Sequence, residues 1–145
     1  MSDAEFPAEF WQGIEQFNAR EFYPCHDTLE AIWLECYDGN KQLYQGILQI
    51  AVACYHLSNH NWRGCAILLG EDMSRLNKYP GDYGGLDLDT LIDTSTDMLS
   101  AVQQRGETDV AALAAEYGLN EDSEADGEST LEVRRNLPHV ARVSE

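Results

Sequence analysis

Basic residues are scarce in this chain. Lysine and arginine number 9 against 26 aspartates and glutamates, a formal net charge of -17. Nucleic-acid backbones and anionic membranes repel such a surface, so neither is expected as a partner. A crowded or salty cytoplasm, or a basic partner, suits it better, and a cytoplasmic location is the expectation. Long apolar runs are missing too. The longest, residues 47–57, is interrupted by Gln49 and His56 and falls short of the ~18 residues of a membrane span. The first nine residues are polar and acidic, which predicts no secretory leader. Cysteines are few, and Cys25, Cys36, Cys54 and Cys65 form no CxxC pair. Cys25 and Cys36 on one helix would be ~16 Å apart along its axis, too far for a disulfide. The four thiols read as small buried residues in a reducing compartment, with a thiolate metal site as the alternative.

Familiar catalytic signatures are also absent. Gly81, Gly84 and Gly85 follow no strand and lack the lysine-serine sequel of a phosphate-binding loop. No serine stands in a nucleophile-elbow context. No strand-type alternation of useful length occurs, and no second copy of a helical hairpin that would signal a solenoid.

What remains is helical periodicity. Phe10, Ile14 and Phe17 recur at i, i+4 and i+7 in a first helix over about residues 7–18. A second starts near Tyr23-Pro24, with proline in its first turn, and stops at the Asp38-Gly39-Asn40 turn. The third, about residues 41–58, is apolar over most of its circumference: Leu43, Ile47, Ile50, Cys54 and Leu57 form one stripe, and Tyr44, Leu48, Ala51 and Tyr55 a second. Such a helix belongs in the middle of a bundle. Gly46 predicts a close approach by a neighbouring backbone. Asn61 is positioned to cap a fourth helix over about residues 62–78. A proline- and glycine-bearing loop over 79–85 separates it from a fifth, about 89–105, and a short helix over 109–117 closes at Gly118.

The predicted fold is therefore all-α: a single orthogonal or antiparallel bundle of about five main helices plus a short one, over residues 1–118. Residues 119–145 are expected to be an acidic linker and flexible tail, because 120–130 carry five acids and no apolar period. Within that tail, Leu137 and Val140 lie among Arg134, Arg135 and Arg142, the one basic cluster of the chain. This segment either folds back on the acidic body, engages a protein partner, or stays loose.

The residue types that do chemistry gather in the second helix. His26 and Glu30 are four apart and Trp33 three further on, so imidazole, carboxylate and indole share a face. On this reading Asp27 points about a quarter-turn away from His26. The polar stripe of the third helix carries Gln42, Gln45, Gln49 and His56.

The motif His26-Asp27-Thr28-Leu29-Glu30-Ala31-Ile32-Trp33, followed by Tyr44-Gln45-Gly46, Ala53-Cys54-Tyr55-His56 and Gly85-Leu86-Asp87, resembles the family called "domain of unknown function 309". The resemblance spans about residues 10–102, and residues 46–69 are most similar to cyanobacterial members. It implies a small all-helical bundle and no established activity or cofactor.

If the polar stripe of the third helix faces the second, the bundle holds an interior cluster of two imidazoles, a carboxylate and amides. Three readings compete for it. The cluster is a structural hydrogen-bond network that fixes helix register. Or His26, Glu30 and His56 are partial ligands for a divalent metal. Or a small molecule binds there, with His26 as base, Glu30 orienting it, Trp33 stacking, and Gln45, Gln49 and His56 lining the site. A fourth, blander reading turns the glutamines to water. The reading carried forward is a non-catalytic binding or interaction protein with a structural His-Glu-Gln cluster. A metal or small-molecule site, with hydrolytic chemistry as an extension, is the alternative.

Overall fold

The computed structural model describes residues 6–119 and 135–143. Among these are six α-helices: α1 (Ala8–Asn18), α2 (Phe22–Leu34), α3 (Lys41–Ser58), α4 (Trp62–Leu76), α5 (Leu88–Arg105) and α6 (Val110–Glu116). The one β-type pairing among them is an isolated bridge between Leu86 and Arg142, so the fold is all-α.

Local chemistry sets most of the helix boundaries. Asn61 caps α4 by accepting from Gly64 N, and Asp87 caps α5 by accepting from Thr90 N. Three helices end in the same way. After α1, α3 and α6 the chain enters the left-handed region at Arg20, His60 and Gly118. The next amide then reaches back across the last turn: Glu21 N to Gln16 O, Asn61 N to His56 O, Leu119 N to Ala114 O. Glycine is the usual residue at such a position, and a residue with a Cβ there costs about 1 kcal/mol.

The second helix is shorter than its sequence suggests, ending at Leu34 rather than near Asp38. Lys41 explains this. Its ammonium donates to the carbonyls of Trp33 and Cys36 at 2.8 and 3.1 Å, satisfying the negative end of α2. Asp38 then turns the chain by accepting from Asn40 N at 2.8 Å.

The central helix is α3, which packs most extensively against α4 and α2. Leu43, Ile47, Ile50, Cys54 and Leu57 are fully buried on its core side, with Phe10, Phe17, Leu29, Leu69 and Leu76 from neighbouring helices. Gly46 does mark a close approach, but the neighbour is a side chain: a methyl at Gly46 would stand 2.7 Å from Leu76 Cδ2. Gly13 plays the same part between α1 and α2, where Leu29 Cδ2 would lie 2.5 Å from an added methyl. The cysteines are unpaired, and Cys25, Cys54 and Cys65 are buried. Burial pushes the thiols of Cys25 and Cys65 up to about 12, which keeps them protonated and inert. Cys36 differs, half-buried with its thiol 3.2 Å from Asp38 Oδ1.

The expected acidic linker lies outside the described residues for the most part, but residues 135–143 do not lie loose. They cross the bundle and dock on it. Asn18 donates to Val140 O and accepts from Val140 N, both at 2.8 Å, as a strand neighbour would. Arg135 Nε pairs with Glu116 Oε1 at 2.8 Å, and the Arg142 guanidinium sits 3.9 Å from the centre of the Trp11 ring. Leu137 and Val140 of this segment are buried. Of the fates open to it, folding back on the body is the one the structure contains.

Candidate functional site

The second, third and fourth helices leave a groove along the exposed side of α3. Its volume is ≈ 270 Å³. His26, Glu30 and Trp33 of α2 form one wall. Gln45, Gln49 and Val52 of α3 form the floor, and Leu68 of α4 closes the other side. Each set lies on one helical stripe, which is why three helices can aim into one groove. Five of the six residues singled out from the sequence therefore meet: His26, Glu30, Trp33, Gln45 and Gln49. They meet in an open groove, not in a sealed interior cluster. His26 is 26% exposed and Glu30 44% exposed.

His56 does not join them. It lies seven residues beyond Gln49, ~10.5 Å further along the helix axis. There its Nδ1 lies 3.3 Å from the Asn61 amide nitrogen, and its ring packs against Gly64 at the α3–α4 turn. Burial pulls the His56 imidazole below its ordinary value, so it resists protonation. At that distance His56 shares no ligand set with His26 and Glu30.

Asp27 takes the place that His56 vacates. Its Oδ1 is 3.3 Å from His26 Nδ1, although a quarter-turn separates the two Cα–Cβ directions. That contact is ion-pair close but not aligned as a hydrogen bond, and His26 Nδ1 has no hydrogen-bond partner among the described residues. On the other edge of the ring, Nε2 is 4.0 Å from Glu30 Oε1. One donor atom from each of His26, Asp27 and Glu30 lies within 4.8 Å of the other two. No other group of three or more histidine, cysteine or acidic side chains among the described residues gathers in this way, so the thiols form no such site.

Trp33 is held from behind. Lys41 Nζ stands 4.7 Å from its ring centre, and the indole N–H is buried without a partner among the described residues. The indole thus serves as a fixed wall, with one face committed to a cation.

At the far end of the floor, Arg75 of α4 donates to Gln49 Oε1 at 2.9 Å and to Asp72 Oδ1 at 3.1 Å. Asp72 is wholly buried, and burial lifts its carboxyl to about 8 against the pull of the Arg75 guanidinium. The short salt bridge argues for a charged carboxylate and the burial for a neutral one. Burial prevails here, because Asp72 Oδ2 has no partner among the described residues to offset its desolvation. Sequence reasoning missed both residues. Their i, i+3 spacing is visible in the chain, but the partnership with Gln49 is made across two helices.

Residues 10–68 match the family model described as domain of unknown function (DUF309). The match covers less than half of the 145-residue chain. The DUF309 region runs from α1 into α4 and contains all the groove-lining residues from His26 to Leu68. Asp72 and Arg75 lie beyond it, as do α5, α6 and the docked C-terminal segment. The family description assigns no activity, so the groove must be read from its own chemistry. No curated protein matches the chain. No helix among the described residues is long and apolar enough to cross a membrane.

Proposed function

We propose that this chain is a binding protein whose site is the groove, and that a divalent cation is held at the groove's rim by His26, Asp27 and Glu30. The observation that supports this most directly is the clustering of an imidazole and two carboxylates on one helical turn, with donor atoms within 4.8 Å. Bringing them onto one ion needs only rotamer adjustment, since ligands around a small cation lie ~3 Å apart. Mixed nitrogen and oxygen donors suit an ion of the zinc or manganese type. Three protein ligands leave coordination positions open toward the groove. A small polar molecule bound to the ion would then rest on Gln45 and Gln49, against Trp33.

The purely structural reading of the cluster draws less support. Among the described residues, no hydrogen bond joins His26 or Glu30 to Gln45 or Gln49, so the four do not satisfy one another. Among the groove-lining residues, Gln49 makes an interhelix tie, and its partner Arg75 lies outside the proposed cluster. A protein partner reaching the C-terminal tail would have to displace the bonds between Asn18 and Val140 before it could use residues 135–143.

Titration calorimetry of zinc and manganese into the full chain tests the proposal. One site is expected, weakened at least about tenfold in Glu30→Gln and in Asp27→Asn. Equal uptake by wild type and Glu30→Gln would overturn it, because the ion would then be collected by the general acidic surface.

A further inference from the structure

A second pocket lies on another part of the molecule and has the opposite character. It is formed where the α1–α2 turn meets the docked C-terminal segment, and its volume is ≈ 380 Å³. Arg20, Arg135, His139 and two asparagines supply its polar lining, and Phe17 and Leu137 contribute to its apolar lining. No carboxylate among the described residues lines it. In a chain with 26 acids against 9 lysines and arginines, a pocket with two arginines and no acid runs against the composition. Two other hollows do not: the α2–α3–α4 groove presents Glu30, and a third hollow presents Glu9, Glu35 and Asp38.

The two guanidiniums stand in different states. Arg135 is paired with Glu116, a carboxylate that also serves Arg105. Arg20 has no carboxylate within ion-pair reach among the described residues, and its one hydrogen bond runs from Nη1 to Gly118 O at 3.3 Å. Its backbone is fixed at φ 67° by the amide bonds that end α1, so the charge is carried on a rigid turn. The opposite wall is rigid as well, because Asn18 spends both polar atoms on Val140. A guanidinium presents a planar fork of donors that matches phosphate or carboxylate oxygens.

We propose that this pocket binds a small organic anion, its phosphate or carboxylate held by Arg20 and Arg135 and its apolar body lying on Phe17 and Leu137. One wall belongs to the α1–α2 turn and the other to residues 135–139, so an occupant clamps the C-terminal segment to the bundle. This goes beyond the cation site, uses none of its residues and can fail independently of it.

Phenyl phosphate and phenylacetate are the probes, titrated into the full chain and followed by amide chemical shifts and by the rate of tryptic cleavage in the C-terminal segment. Sodium chloride at matched ionic strength removes the general effect of salt on an acidic protein. Saturable shifts in residues 17–22 and 135–139 are expected with at least one probe, together with slower cleavage. The two arms distinguish a phosphate site from a carboxylate site. Arg20→Gln should weaken binding about tenfold or more. Arg20→Lys, which keeps the charge and loses the fork, should fall between the two, and it serves alone if the glutamine variant does not fold. Shifts no larger than those in chloride for both probes, or unchanged affinity in the Arg20 variants, would overturn the proposal.

Discussion

The two sides of α3 obey different rules. Leu43, Ile47, Ile50, Cys54 and Leu57 on one side are fully buried, and Gly46 is small enough to admit Leu76. Gln45, Gln49 and Val52 on the other form the floor of an open groove. One helix thus supplies apolar burial on one face and groups for recognition on the other. The lesson is a division of labour. Burial of the first stripe holds the helix rigidly enough for the second to present polar groups at fixed positions, with few bonds among themselves.

The comparison can be broken or sharpened by mutation. The largest effect is expected at Ile47→Ala, which empties a fully buried site and should cost about 2–5 kcal/mol in urea unfolding. A loss below ~1 kcal/mol would mean that the core side is not packed as described.

Asp72, at the end of the groove floor, comes next. Its native carboxyl is lifted to about 8 from an ordinary value of 3.8. The native state therefore holds this proton more tightly than the unfolded chain does. The stability this provides is complete below about pH 4 and is lost as pH rises toward 8. Asp72→Asn should remove that slope, a difference of a few kcal/mol across the window. An unchanged slope between pH 4 and 8 would assign the pH dependence to other groups.

The smallest effect on stability is expected at His26→Ala. Glu30 is 44% exposed and 4.0 Å from the imidazole, so water can replace the lost partner at a cost within about 1 kcal/mol. Metal binding, by contrast, should disappear. A drop of several kcal/mol would move His26 to the structural side of the comparison and revive the network reading.

Much of this architecture is legible in the chain. The bounds of α3 and the Asn61 cap follow from stripes and caps, and the stripes single out His26, Glu30, Trp33, Gln45 and Gln49 without deciding that they face one another. Three features do not follow from them. Asp27 joins His26 because a rotamer swings the side chains together, and periodicity specifies only where a Cβ points. His56 shares the right stripe but stands too far along the axis, and a stripe says nothing about how far the facing helix extends. Residues 135–143 read as part of a tail because they follow the acidic stretch 120–130, yet the Asn18 side chain makes two hydrogen bonds with the Val140 backbone from more than a hundred positions away.

By itself, then, the sequence determined the helices and the faces they bury, because both depend on interactions within a few residues. The DUF309 match rests on the same local pattern, over residues 10–68. The tertiary structure alone decided which polar groups meet. Arg75 reaches Gln49, Asp72 loses water, and Arg20 and Arg135 come to line one pocket. These depend on helix register, rotamer and desolvation, which are set only when distant segments pack together.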